Sequence, residues 1–461
     1  MAVTTTGPVH ENWSSRAAFI LAAVGSAVGL GNIWKFPYEA GEGGGGAFVL
    51  IYLLFVFGIG VPVMIAELML GRRGHLSPPN AMARVAEQEG RPRHWSFVGW
   101  IGVIGAFLVL SFYSVIAGWT LHYMVQAFTG GLAGATADSS ASDFGSLLAN
   151  PPLLIFWHGL FALLTIFVVA RGIHGGLEKA VTWLMPMLFF LLLVLVVYSL
   201  VVGDAGRALT FLFAPDFSKL TPNVVIQALG QAFFSLSLAL GAIMTYGAYL
   251  PREVSIPRSA FIIAGADTSV ALLAGLAIFP IVFAYGLEPG AGPGLIFVTL
   301  PIAFAQMPGG LIVGGLFFLL LTVAALTSAI SLLEPLVSWL EEHRGVGRVK
   351  SAIGGGIAVF VVGLGTVFSF NHWADFKLFG RTLFDNLDFL TNNIMMPVGG
   401  LFIALFAGWL MARANARDEL HTIDDRQFSV WYAMVRYVCP IALVLIFLSV
   451  AFPGLVANLG F

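Results

Sequence analysis

Long apolar runs separated by short polar or Gly- and Pro-rich turns organise the chain. A helix that spans a bilayer needs about 20 predominantly apolar residues. Eleven stretches meet that length, over residues 14–38, 43–72, 94–129, 152–171, 177–201, 222–250, 257–287, 310–341, 351–370, 381–411 and 428–453. They are called segments one to eleven below, and they predict an all-α polytopic membrane protein. Two of them are interrupted. In segment one, Gly25, Gly29 and Gly31 weaken the helix near the bilayer centre, and Asn32 and Lys35 bring polar groups to nearly that depth. Segment six has a second polar interruption, Gly230-Gln231-Ala232-Phe233-Phe234-Ser235-Leu236-Ser237-Leu238-Ala239-Leu240-Gly241. Irregular backbone at membrane depth is tolerated only where protein buries it or where it lines a cavity. Interrupted segments that each open a block of five point to two inverted repeats with discontinuous helices one and six and a site between the breaks. The expected organisation is a cytoplasmic stretch 1–13, a first five-helix repeat 14–201, a second inverted repeat 222–411, and an eleventh helix with an external C-terminus, 428–461. Gly25, Gly29, Ser235 and Ser237 also suit close helix packing. That alternative leaves Asn32 and Gln231 unexplained.

Composition narrows the class. With 58% hydrophobic and 10% charged residues and a mean hydropathy of +0.91, the chain is far from a soluble globule, whose charged share is about 25%. Of the 22 Lys and Arg, 16 fall in the N-terminal stretch or in loops on the same side as it; Arg207, Lys219, Lys377 and Arg381 lie in loops opposite, and Lys35 and Arg436 lie within segments. The positive-inside rule then places the N-terminus in the cytoplasm and, with eleven spans, Phe461 outside. Residues 1–13 show no basic region followed by an apolar run and a cleavage site, so no cleaved signal is expected. The net charge of −2 selects no partner, and no nucleic acid is expected. One cysteine, Cys439, excludes an intramolecular disulfide. No histidines are paired four apart, and Gly43 to Gly46 has no preceding strand, so it reads as a turn rather than a phosphate loop. An enzyme would need a paired nucleophile and base or metal ligands, and an ion channel, a remote alternative, a continuous polar stripe. Neither pattern is present.

Single polar positions carry the remaining signal. Glu67, inside segment two, reads as a carboxylate that ties down the loose amides of a broken neighbour. Tyr113, in Ser111-Phe112-Tyr113-Ser114, is expected to find a hydrogen-bond partner within the protein. Gly176 and Pro186 place a helix-weakening pair at the start of segment five, where the helix either unwinds or kinks. Asp267, left ionised and unpaired in hydrocarbon, would cost several kcal/mol, so it is protonated, paired or near a cation; a bound cation is the preferred reading. Thr327 and Ser328 either bond back to their own helix or offer oxygens to a hard cation. Asp385 and Asp388 start segment ten near the outer face, where Lys35 also belongs, and an acid facing a base there makes an outer gate.

These residues, in this order, resemble the neurotransmitter:sodium symporter family, in particular its bacterial amino-acid transporters of leucine-transporter fold and eleven-helix type. The resemblance runs from Trp13 to about segment ten. Its most specific stretches are Ala27 to Tyr38, Gly44-Gly45-Gly46-Ala47-Phe48, and Gln231 to Ser237. It implies two sodium sites. The first uses Ala27, Asn32, Ser235, Asp267 and the substrate carboxylate. The second uses backbone oxygens of Gly25, Val28 and Ala324 with the hydroxyls of Thr327 and Ser328. The carboxylate would meet the amides around Leu30 and Gly31 and the Tyr113 hydroxyl. The amino group would face carbonyls of Ala27 and Phe234 and the Ser328 hydroxyl, and the side chain would sit among Val109, Ile116, Phe234, Ser237, Leu240 and Leu332. Tyr113 and Phe234 would form a lid, with Lys35 and Asp388 above it.

The chain departs from the family's pattern in three places. Asp267 stands where members often have Asn, and Ala271 stands one turn later, where an acid or a chloride-binding serine is common. A fixed carboxylate then replaces the anion, and chloride independence is expected. The inner-gate arginine is His10 here, with Glu342 as its acidic counterpart and Tyr249 beside them, a pair sensitive to pH. Eleven segments replace the usual twelve, a type that shares the Gly176 to Pro186 spacing and unwinds there to hydrate the second sodium site. Members that carry monoamines have an aspartate at the position of Gly29, so its absence implies an α-amino acid, and the apolar lining implies a neutral, hydrophobic one, with Ala239 bearing on the size of the pocket. The implied function is sodium-coupled import by alternating access in a bacterial-type cytoplasmic membrane. The alternative is sodium-coupled uptake of a small osmolyte or a β- or γ-amino acid. The oligomeric state is left open.

Overall fold

A computed structural model describes residues 13–290 and 294–451. His10 lies outside the described residues. Regular structure among them is helical, with a single isolated bridge between Leu378 and Arg381. Among the described residues, nine helices are long and apolar enough to cross a membrane: Gly46–Gly74, Arg93–Phe128, Pro151–Val169, Ile173–Val202, Ile256–Ala284, Gly310–His343, Arg348–Ser369, Leu383–Leu410 and Asp425–Leu448. Arg16–Ala27 and Gly31–Glu42, bent by 46° at their junction, make a tenth if taken together. Segment six consists of two short helices, Pro222–Ser235 and Ala242–Ala248, on either side of non-helical backbone.

The apolar pattern decides which helices sit inside. Segments three and eight are the most enclosed and pack against each other along their length, whereas segments four, nine and eleven leave side chains such as Leu163, Ile357 and Ile441 on the outside for lipid. Segment one runs between segments five, seven and eight. The Ser15 hydroxyl accepts the Ala18 amide (3.1 Å) and starts its first half, a cap of the usual kind. That half ends where Val28 turns to extended geometry (ψ 110°), and the chain resumes with a wide π-helical turn over Gly31–Lys35.

The break in segment six is sharper. Ser237 (φ 52°), Ala239 (φ 59°) and Gly241 (φ 73°) all adopt left-handed backbone. For Ser237 and Ala239 such geometry costs about 1–3 kcal/mol each and persists only when neighbours impose it. The neighbours are identifiable. Glu67 Oε2 accepts the Ala239 amide at 3.0 Å, and Ser237 Oγ donates to the Ser26 carbonyl at 2.9 Å. Gln231 Nε2 donates to the Gly31 carbonyl at 2.7 Å. Segment six thus satisfies carbonyls freed in segment one, while a carboxylate of segment two satisfies an amide freed in segment six. Segment five is helical where the Gly176 to Pro186 spacing leaves unwinding or a kink open. A π-helical turn occupies Ile173–Glu178, and the α-helix Lys179–Val202 then runs unbroken through Pro186.

Candidate functional site

The two breaks enclose a small cavity, about 20 Å³, lined by Ala27, Gly29, Gly31, Val109, Tyr113, Phe234, Ser237, Leu240, Ser328 and Leu332. Its floor is backbone. The Leu30 amide, released by the break, donates to the Tyr113 hydroxyl at 3.2 Å. Gly29 is required by close approach: a Cβ there would lie 2.3 Å from Ser328 Oγ and 2.8 Å from Tyr113 Oη. Gly31 is nearly as confined, since a Cβ would stand 3.0 Å from the Phe234 ring. Val109, Leu240 and Leu332 make the far wall apolar. Ile116 and Ala239 are buried but do not line the cavity.

On one side of the break, the structure gathers Asn32, Ser235 and Asp267, all fully buried. Asn32 Nδ2 donates to Asp267 Oδ1 (2.7 Å) and Ser235 Oγ (2.9 Å), while Ser235 Oγ donates to Asp267 Oδ2 (2.6 Å). Asn32 turns its amide nitrogen toward the carboxylate, and its oxygen accepts the Gly29 amide at 2.9 Å. On the other side, Thr327 and Ser328 face the end of the first half-helix. Ser328 Oγ donates within 3.1 Å of the Val28 carbonyl and 3.4 Å of the Gly25 carbonyl. Thr327 Oγ1 lies 3.0 Å from the Ala324 carbonyl and 3.5 Å from that of Val28. Five oxygens therefore converge, three of them carbonyls, two of which lie at the negative end of a helix dipole, a setting that favours a cation. Met185 of segment five packs against this group: a Cβ on Gly25 would be 3.1 Å from its sulfur.

Above the cavity, Lys35 Nζ sits 4.7 Å from the centre of the Phe234 ring, a cation–π contact. Lys35 and Asp388 do not form an ion pair; Asp388 Oδ1 instead accepts Asn392 Nδ2 at 2.6 Å, four residues on in its own helix. Asp385 completes a capping box with the N-cap Thr382, its carboxylate accepting the Thr382 hydroxyl at 2.6 Å. Below the cavity, the start of segment one is pinned. Trp13 donates its indole N–H to the Tyr246 carbonyl (3.1 Å) and packs against Tyr246 and Tyr249, and the Ser14 amide donates to Glu178 Oε1 (2.7 Å). Tyr249 donates to Glu334 (3.1 Å), which Arg348 grips at 2.5 Å. Glu342 accepts the Ser77 amide (2.6 Å) and Asn80 Nδ2 (2.7 Å), placing it at the start of helix Pro78–Gln88.

Sequence reasoning passed over Glu334, Arg348 and Tyr52. Glu334 is an acid in the middle of a span and fully buried, the same signal that singled out Glu67 and Asp267. Its partner Arg348 was hidden because it counts as an ordinary loop arginine. Tyr52, whose hydroxyl lies 3.3 Å from Ser235 Oγ and 3.4 Å from Asp267 Oδ2, completes the carboxylate's surroundings from segment two. It sits in an apolar run where an aromatic gives no distinguishing pattern.

Comparison with known proteins joins this geometry to a lineage. A protein called an uncharacterised sodium-dependent transporter in Bacillus subtilis is 40% identical over 95% of this chain and 97% of its own. One of the same description in Haemophilus influenzae is 34% identical over 97% of this chain and 99% of its own. A sodium- and chloride-dependent taurine transporter of the rat is 29% identical over 70% of this chain and 59% of its own. The crystal structure of MhsT in complex with L-phenylalanine superposes with a TM-score of 0.90, at 44% identity, covering 96% of this chain and all of that one. The relatives are transporters, not enzymes, and the profile of one family matches residues 10–144 and 138–453. With its broken helices facing each other at a backbone-lined cavity, the chain belongs to the sodium:neurotransmitter symporter family.

Proposed function

We propose that this sodium-coupled symporter imports a neutral, hydrophobic α-amino acid with two sodium ions, independently of chloride, by alternating access. The observation that carries the substrate class is the Gly29–Leu30 backbone: the Leu30 amide, released from the helix and held by the Tyr113 hydroxyl at 3.2 Å, suits a carboxylate, and the space around Gly29 is too tight for an amine-binding side chain. The solved structure of a 44% identical protein with L-phenylalanine supports the same reading. One sodium would lie among Ala27, Asn32, Ser235, Asp267 and the substrate carboxylate, with the Asn32 amide turned about to present its oxygen. The other would lie among Gly25, Val28, Ala324, Thr327 and Ser328. Tyr113 and Phe234 close the cavity from above, Lys35 rests on that lid, and Asp388 stands nearby. Release inward requires Trp13 and Ser14 to leave Tyr246 and Glu178, and segment five to draw Met185 away from Gly25.

The arrangement would be eleven spans in two inverted repeats, with the arginine-rich end in the cytoplasm. Two sodium ions moved down 100 mV supply about 4.6 kcal/mol. A tenfold sodium gradient adds about 2.7 kcal/mol, enough together for roughly 10⁵-fold accumulation of a zwitterion. The 29% identical taurine transporter favours a second reading, uptake of a β-amino acid or small osmolyte. Sodium-dependent scintillation-proximity binding of radiolabelled phenylalanine, competed by the twenty amino acids and by taurine, separates the two. Competition by hydrophobic amino acids alone is expected. Competition by taurine but by no α-amino acid would replace the first reading with the second.

A further inference from the structure

Away from the transport path, a groove of about 910 Å³ opens sideways between segments two, seven and eleven. Its walls are apolar and face outward: Phe57, Phe261 and Val430 are 41%, 55% and 59% exposed. Trp431, whose indole donates to the Pro62 carbonyl at 3.1 Å, closes its inner side. The polar end carries Arg258, Arg426 and Asp424. The arginines set it apart from the surface around it. At this end of the bundle Arg72 pairs with Glu419 (2.9 Å), Arg73 with Glu89 (3.6 Å), Arg252 with Asp418 (2.7 Å) and Arg417 with Asp425 (2.9 Å). Among the described residues, Arg258 and Arg426 make neither a hydrogen bond nor an ion pair. The one acid in the lining, Asp424, accepts the Gln427 amide at 2.8 Å as a helix cap.

We propose that this groove is a binding site for an anionic phospholipid, with the phosphate between Arg258 and Arg426 and an acyl chain along Phe57, Phe261 and Val430. An apolar trough open to the bilayer and closed at one end by two unpaired guanidinium groups matches both halves of such a molecule. Guanidinium pairs bind phosphate oxygens by forked hydrogen bonds, and basic pockets between membrane helices select anionic head groups. Arg426 to Met434 spans eight residues, about 12 Å of helix, so the trough runs well into the leaflet beyond the charged end. Segment seven forms one wall and carries Asp267 deeper in the same helix, so a lipid here braces the helix that holds the charged residue of the cavity.

The test is native mass spectrometry of the full chain in detergent with equal amounts of phosphatidylglycerol and phosphatidylcholine. Retention of phosphatidylglycerol should exceed that of phosphatidylcholine about tenfold. Arg258→Gln with Arg426→Gln should erase the preference, the paired lysine substitutions should keep most of it, and sodium-dependent substrate binding should not change in either variant. Equal retention of the two lipids by the unaltered chain overturns the proposal, as does a preference that survives both glutamines. Complete displacement of phosphatidylglycerol by millimolar inorganic phosphate would mean a phosphate site, not a lipid site. Loss of a dimer in the glutamine variant would assign the groove to a second copy of the chain. Either of these results also overturns it.

Discussion

The oxygens around Asp267 and those around Thr327 lie on either side of one break in segment one, yet they are built from different chemistry. The first group centres on a buried carboxylate held by Asn32, Ser235 and Tyr52. The second has no formal charge and relies on carbonyls freed where Arg16–Ala27 ends, with two hydroxyls from segment eight. Their mechanical settings differ as well. Asp267 sits in the unbroken helix Ile256–Ala284, whereas Gly25 touches Met185 of segment five, beside Pro186. A charged group on a rigid helix keeps its geometry through a conformational change. A neutral one made of a helix end and a movable neighbour is dismantled by it. Under the proposed assignment of two sodium sites, the two groups would suit different duties, one holding sodium with substrate and the other sensing whether the inner side is closed.

The largest expected effect comes from Asp267→Asn. Removing a unit charge about 4 Å from a cation costs about 4 kcal/mol at an effective dielectric constant near 20. Sodium titration of radiolabelled substrate binding should show a 10²- to 10³-fold weaker response. An unchanged sodium midpoint would dissolve the contrast between the two groups. Next in size is Tyr113→Phe, which removes the hydroxyl beside the Leu30 amide. A hydrogen bond to a charged group contributes about 1.5–3 kcal/mol, so substrate affinity should fall about 10- to 100-fold. Competition binding at saturating sodium measures it, and a loss confined to sodium affinity would assign the hydroxyl to the wrong ligand.

Thr327→Val keeps the side chain's shape and deletes one neutral oxygen. A net contribution of about 1 kcal/mol predicts a rise of roughly fivefold in the sodium midpoint. Isotope efflux from loaded vesicles sharpens the reading, because a group that senses inner closure should alter efflux more than external binding. Equal changes in both would leave Thr327 as a ligand without that duty.

Much of this was legible before any coordinates. Period, length and the two polar interruptions suffice for an all-helical membrane protein, because a backbone in hydrocarbon has few ways to satisfy itself. Asn32, Ser235 and Asp267 were legible as rare polar groups in apolar runs, and Gly29 as a missing side chain. What was not legible depends on side-chain direction between distant segments. Lys35 could be placed near Asp388 by depth, but not turned onto Phe234 rather than toward the acid. Glu342 and Glu334 lie about two turns apart in the helix Gly310–Arg344, and only packing shows that Tyr249 reaches Glu334. The Gly176 to Pro186 spacing marks a weak stretch, but whether a weak helix is open or closed depends on what packs against it. Here the helix is intact from Lys179 onward.

The smallest expected effect is also the most discriminating for Asp267. Replacing chloride by gluconate should change sodium-driven uptake less than twofold, since a carboxylate within 2.6–2.7 Å of Ser235 and Asn32 already supplies fixed negative charge beside the cavity. In the proposed complex, two sodium ions, a zwitterionic substrate and Asp267 sum to a single net positive charge, one less than without the carboxylate, so an additional anion has less to stabilise in so apolar a surrounding. The same reasoning reverses in Asp267→Asn, where the net positive charge rises to two. Uptake by that variant, weak as it is, should depend on chloride more strongly than uptake by the unaltered chain. A strong chloride requirement in the unaltered chain would show that Asp267 does not carry its charge during transport, and the contrast between the charged and neutral groups would then have to be drawn without it.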